Sequence, residues 1–404
     1  MNKNLIVKNT IKKNKLEEKI IKKFSNNYKN IIKTIMKDLK NPSKVLNVLN
    51  SKFKFNFKIN ELKKFNKFKT IAFVGMGGSI LGAEAIHNFL HKKIKKKIYF
   101  FDDLNSEKIL NFKKKENLNK ALFLIISKSG DTVETLSNLF SMNVIKKNSK
   151  NIILISEKKN NLLYLLSRKF NLFYVEHKKN IGGRYSVLSE VGIIPAYLMG
   201  ADIFKLRFNI RKFLKNKENS FLRNSSVQLA SLIQRKKITN LIFLNYAPEL
   251  KKFLYWCQQL IAESLGKKNK GFLPMVSNVP KDHHSLLQLY LDGPKDKLFH
   301  IFSIEKKTKN KINTKKITNK INILHNKTIE DVKSAQKSAL IKTLYQKNIP
   351  FREFKINKIN EEVLGELFSY FILETVIIGK LININPFNQP AVEQVKIFTK
   401  KILS

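Results

Sequence analysis

Residues 121–135 read ALFLIISKSGDTVET, a six-residue apolar run, a turn of small and hydroxyl-bearing residues, and the opening of a helix. An uninterrupted apolar run of that length is a strand buried on both faces, which is the signature of a parallel sheet. The same grammar occurs upstream, where TIAFVGM (70–76) leads through GMGGSILG (75–82) into helical spacing. KIYFFDD (97–103), NIILIS (151–156) and NLFYVE (171–176) complete a first set of strands alternating with helices. A second set follows: TNLIFLN (239–245), GFLPMV (271–276), LFHIFSI (298–304) and FREFKI (351–356). The expected fold is α/β, two doubly wound parallel sheets. A helical arm over 1–45, with an apolar stripe of Ile20, Ile21, Phe24, Ile31, Ile32 and Ile35, precedes a first domain over 46–210. A second domain covers 211–404 and ends in helices, one over about 361–381 and another entered through Pro390. The stretch MGADIFKLRFNIRKFLKNKENSF carries no strand and marks the boundary region.

The composition bounds the rest. The 404 residues are 43% hydrophobic, enough to bury a substantial core. No stretch of about 18 uncharged apolar residues suggests a membrane span, and the first residues lack an export pattern. A cytoplasmic location is the expectation. The single Cys257 forms no internal disulfide, and FLYWCQQLIAESL places it on the apolar face of a helix. The net charge of +48 raises the question of nucleic acid. The lysines are spread through every segment, however, and runs such as KKIKKK (92–97) and 306–320 fall between apolar segments without interleaved aromatics. They read as exposed loops rather than a nucleic-acid surface. His87 and His91 stand one helical turn apart, but HNFLH lacks the glutamate of a zinc-protease helix.

Two loops carry the chemistry. GMGGSILG and SKSGDTVET both join a strand to a helix at the carboxyl end of the sheet, where ligands bind in open α/β folds. Glycines admit an anion close to the backbone, and hydroxyls with free helix N–H groups satisfy phosphate oxygens. Neither loop completes a dinucleotide or nucleoside-triphosphate fingerprint. A small phosphate monoester held by Ser127, Ser129 and Thr132, with Lys128 as counter-charge, fits them best.

At these residues the chain resembles the sugar-isomerase domain. GGRYSVLSEVG (182–192), QQLIAESLGK (258–267), DHHSLLQ (282–288) and NPFNQPAVEQVK (385–396) then follow in the order found in the glucose-6-phosphate isomerase family. That resemblance implies specific roles. Gly78, Ser79, Ser127, Lys128, Ser129 and Thr132 would hold the substrate and its phosphate. Glu263 would move a proton between C1 and C2, Arg184 would stabilise the enediolate, and His284 with Lys396 would assist ring opening. Gln259 and Gln389 would position hydroxyls or phosphate. The family implies a homodimer whose active site borrows a histidine from the partner, and a scheme needing no cofactor or metal. Chemistry alone supports the same parts: a carboxylate to carry a proton beside a carbonyl, a fixed guanidinium for the oxyanion, and a group titrating near neutrality for ring opening. Two other readings stand beside it: an isomerase acting on both glucose and mannose 6-phosphates, and a sugar-phosphate sensor without turnover.

Overall fold

The computed structural model describes residues 5–11, 16–306, 308–314 and 322–403. Part of the lysine-rich run 306–320 lies outside the described residues. Among the described residues ten strands form two five-stranded sheets. They are β1 (Leu5–Asn9), β2 (Thr70–Gly75), β3 (Lys97–Phe101), β4 (Ala121–Ile126), β5 (Ile152–Ser156), β6 (Phe173–Glu176), β7 (Asn240–Asn245), β8 (Leu273–Asn278), β9 (Lys297–Ile304) and β10 (Phe351–Ile356). The first sheet runs β3-β2-β4-β5-β6, parallel throughout. The second runs β1-β10-β9-β7-β8, parallel except for β1.

Every residue of β2, β4, β5 and β9 is buried, as continuous apolar runs require when helices cover both faces. The nine strands expected from the sequence are all present. The tenth departs from it: residues 5–9, read as part of a helical arm, pair antiparallel with β10 from Leu5 opposite Ile356 to Asn9 opposite Arg352. LIVKN is short and its pairing partner lies at the other end of the chain, so local periodicity carried no sign of it. The arm's helix, Glu18–Lys40, is present and buries Phe24, Tyr28, Ile35 and Leu39. Those positions share one face at helical spacing.

Both sheets reverse strand order beside their first central strand, between β2 and β4 and between β7 and β9. The helices that follow those strands, Leu81–Phe89 and Lys251–Leu265, pack on each other and join the sheets. Behind them runs Glu361–Leu381, buried at every position except Glu362 and Lys380. Its buried carboxylates are each met by a cation: Glu361 by Lys93, Glu366 by Lys212 at 2.8 Å, and Glu374 by Arg352 at 2.9 Å. Burying them unpaired would be prohibitive. The last helix, Glu393–Leu403, buries none of its residues. No helix among the described residues is long and apolar enough to cross a membrane.

Candidate active site

Gly75 ends β2 opposite Ile126, the last residue of β4, so the two loops leave the sheet side by side at its switch point. In the β4 loop three hydroxyls converge. Ser127 Oγ lies 2.8 Å from Thr132 Oγ1 and 3.4 Å from Ser129 Oγ, and the latter two are 3.3 Å apart. Gly130 N–H donates to Ser127 Oγ at 3.1 Å and Asp131 N–H to Ser129 Oγ at 3.3 Å. The turn depends on Gly130, whose φ of +77° is a left-handed value, and whose added Cβ would lie 1.8 Å from Asn161 Oδ1. The trio sits at the N-terminus of the helix Val133–Met142, where unpaired N–H groups and the helix dipole favour an anion. Lys128 does not turn toward the trio here. Its ammonium donates to the carbonyl of Lys179 at 2.8 Å and faces Glu157 at 3.5 Å. Burial lowers its pKa, Glu157 opposing.

The β2 loop performs a different task. A Cβ on Gly78 would come within 2.2 Å of the carbonyl carbon of Gly183 and 2.4 Å of the Arg184 nitrogen. Gly78 is thus the point where the GMGGS loop touches the GGRYS segment backbone to backbone. Ser79, half-buried, closes the same turn, Gly77–Ser79.

Arg184 is the centre of the arrangement. Nε donates to Ser264 Oγ at 2.8 Å, and Nη1 donates to Glu263 Oε2 at 3.0 Å and to Gln389 Oε1. Nη2 donates to the carbonyls of Pro386 at 2.8 Å and Asn388 at 3.1 Å. The guanidinium is buried with every nitrogen occupied, which fixes its position. Glu263, one turn from Gln259 on the helix Lys251–Leu265, receives a second hydrogen bond from Gln259 Nε2 at 2.9 Å. Gln259 Nε2 lies over Gly77, and Gln259 Oε1 is buried with no partner among the described residues. That acceptor is left available to a hydroxyl donor. The Glu263 side chain is 29% exposed, so the carboxylate is held but reachable. From it an open groove of ≈ 490 Å³ passes Gln259 and Tyr255 toward Lys252 and Glu84. That volume is within the range of small-ligand sites.

Six expected residues therefore meet around two adjoining centres joined by the β2 loop: Ser127, Ser129 and Thr132 in one, Arg184, Glu263 and Gln259 in the other. Gln389 joins the second. His284 and Lys396 do not reach them within one chain. His284 is exposed in the first turn of the helix His283–Asp292, and Lys396 is exposed beside Glu393 at 2.8 Å. The sequence reading missed Ser264 and Tyr185. Tyr185 O–H donates to the Pro386 carbonyl at 2.9 Å and shares 2.8 Å with Ser264 Oγ. Burial raises its pKa. Both lie inside quoted motifs, next to Arg184 and Glu263, which was the available signal.

A family described as Phosphoglucose isomerase matches residues 12–404. A glucose-6-phosphate isomerase of Methanocaldococcus jannaschii is 34% identical over 352 residues, 84% of this chain and 85% of that protein. Among solved structures, a hypothetical protein of Thermus thermophilus superposes with a TM-score of 0.82 at 23% identity, covering 96% of this chain and 97% of that one. A glucose-6-phosphate isomerase of Chlamydia trachomatis gives 0.67 at 18% identity, covering 92% and 74%. The two structures agree in fold, and the family match spans nearly the whole chain. The chain belongs to the phosphoglucose isomerase family.

Proposed function

We infer that the chain catalyses the reversible isomerisation of glucose 6-phosphate and fructose 6-phosphate, an aldose–ketose isomerase step of glycolysis and gluconeogenesis, at this site. The observation that carries the site assignment is Glu263, reachable from solvent yet fixed by Arg184 and Gln259. The phosphate rests on Ser127, Ser129 and Thr132 at the helix N-terminus, with Ser79 and the backbone of Gly78 beside it and Lys128 supplying charge from the flank. Glu263 takes the proton from the carbon next to the carbonyl and returns it one carbon away. Negative charge that gathers on the enediolate oxygen meets Arg184, already held in place, so little reorganisation is needed. Gln259 Oε1 accepts from a sugar hydroxyl, and Gln389 sits beside Glu263 on the Arg184 nitrogen they share.

Ring opening falls to His284 and Lys396, and for this the working form is a homodimer. Three features support it. His284 is exposed and remote from Glu263. The helix Glu393–Leu403 exposes Val395, Ile397, Phe398, Ile402 and Leu403, an apolar content unsuited to water. Edge strand β8, which leads to His284, exposes Leu273 and Met275. A second copy covers these surfaces and brings its His284 to the site. The cytoplasm, where a free thiol such as buried Cys257 persists, is its location.

The test couples fructose 6-phosphate conversion to detection of glucose 6-phosphate. Turnover by the wild type is expected; binding without turnover would turn the assignment to a sensor. Analytical ultracentrifugation reads the dimer. Co-expressed Glu263→Gln and His284→Ala chains, inactive apart, are expected to regain activity in mixed dimers, and no recovery would refute the shared site.

A further inference from the structure

We propose that Lys267 is a positioning residue for the reaction: its ammonium ties the end of the helix that carries Glu263 to the loop that carries Gln389. Lys267 Nζ donates to the carbonyl of Ser264 at 3.0 Å and to that of Asn385 at 2.7 Å. The first contact closes the C-terminal turn of Lys251–Leu265, where carbonyls lack helical partners and a cation is favoured. The second grips the loop three residues ahead of Asn388 and four ahead of Gln389.

Between Leu381 and Pro390, Ile382 and Ile384 are buried and the Ile384 N–H donates to the Gly379 carbonyl at 2.8 Å, while from Asn385 onward side chains of other elements grip the loop's carbonyls. Arg184 takes those of Pro386 and Asn388, Tyr185 takes that of Pro386, Lys270 takes that of Ile382 at 3.1 Å, and Lys267 takes that of Asn385. Beyond Pro390 the chain is exposed, so nothing downstream among the described residues fixes Gln389. Arg184 and Tyr185 hold the loop from the GGRYS segment. Lys267 is the tether from the Glu263 helix, and it sets Gln389 and Glu263 in one frame around the Nη1 atom they share. Burial and the nearby Arg184 charge lower the Lys267 pKa to about 8, with Glu263 opposing, which places the amine electrostatically within the site.

The inference rests on the assignment of Glu263 and Gln389 to the site, and the experiment separates the two. Steady-state kinetics are measured for Lys267→Met, Lys267→Arg, Gln389→Ala and the double variant Lys267→Met/Gln389→Ala, with thermal midpoints alongside. Lys267→Met is expected to lower kcat/KM by about tenfold to a hundredfold, chiefly through kcat, because a small misplacement of reacting groups has that effect. Lys267→Arg, which still reaches a carbonyl, restores most of the loss. The double variant is no worse than Gln389→Ala alone, since both act through one loop. Wild-type kinetics for Lys267→Met beside an impaired Gln389→Ala would overturn the tether and leave the site intact. Losses that multiply in the double variant would overturn it too. Full activity in Gln389→Ala would remove the site assignment and the inference together. Should Lys267→Met not fold, Lys267→Gln, whose side chain ends one bond short of the ammonium and cannot keep both carbonyl contacts, gives the same reading.

Discussion

Two arginines are buried in this chain with similar company. Arg184 bonds a helix glutamate, Glu263, with a serine (Ser264) and a tyrosine (Tyr185) around it. Arg352, on β10, bonds the helix glutamate Glu374 at 2.9 Å and Tyr370 Oη at 2.6 Å, while Ser225 donates to Glu374. The arginine side chains are 1% and 0% exposed; their glutamates are 29% and 3% exposed. That single difference separates their roles. Glu374 is closed off by Tyr370, which donates to it at 2.6 Å, and its network has no face left for a ligand. Glu263 keeps one face on the groove, beside Gln259, whose Oε1 has no partner among the described residues. The same kind of ion pair is a structural tie when sealed and, as proposed for Glu263, a proton-transfer centre when opened on one side. Its value in the sealed case is debated for buried pairs generally, but breaking one by removing a partner is costly.

The comparison can be broken by exchanging outcomes between the two pairs. The largest expected effect is that of Glu263→Gln, which lowers turnover about 10²–10⁴-fold with the thermal midpoint little changed; the coupled assay with a melting curve decides it. Next, Arg352→Met strands Glu374 in the core and costs about 3–5 kcal/mol, read from the urea midpoint, while the protein that remains folded keeps its kcat. A drop in kcat for folded Arg352→Met, or a lost fold in Glu263→Gln, would erase the distinction.

The sealed interior also holds histidines in the neutral form. His300 lies 3.3 Å from Arg352 Nη1, and burial together with that charge lowers its pKa well below the usual value. His177, just past β6, is brought to about 4, chiefly by burial. A histidine whose folded-state pKa lies below its unfolded value of about 6.5 contributes stability above that pH, and loses it as pH falls toward the folded value. His177 alone predicts about 2 kcal/mol less stability at pH 5 than at pH 7.5. Urea unfolding at the two pH values tests this, and His177→Phe should flatten the dependence; an equal dependence in the variant would contradict it. Comparable in size is the effect of Gly78→Ala, about 1–3 kcal/mol from the forced separation of two backbones. It should be accompanied by lost activity as Arg184 shifts, whereas Gly200→Ala, with nothing within 4 Å of its Cβ but a φ of +91°, costs stability alone.

What the sequence made readable follows from range. Strands β2, β4, β5 and β9 were legible because burial on both faces writes itself locally as an apolar run, and the more exposed parallel strands because they alternate with helices. The hydroxyl trio was legible because Ser127, Ser129 and Thr132 lie within six residues. The Arg184 centre is different: its partners come from Glu263, Ser264, Pro386 and Gln389, up to 205 residues away, and only the order of motifs suggested that they meet. The direction of the Lys128 ammonium was not legible, because its partners Lys179 and Glu157 sit on loops with no recurring pattern. Nor was the Arg352 network, where FREFKI reads as an ordinary strand. Strand β1 was hidden for the same reason as these, its pairing being wholly non-local.

The central claim is that exposure of the Glu263 carboxylate turns this ion pair into a proton-transfer centre. Nuclear magnetic resonance of product formed from glucose 6-phosphate in deuterium oxide tests it directly, by following deuterium appearing at C1 of fructose 6-phosphate. The wild type is predicted to introduce solvent deuterium there, and Glu263→Gln, folded and still binding the sugar phosphate, to do so at least about 100-fold more slowly. Deuterium entering at the wild-type rate in Glu263→Gln would contradict the account.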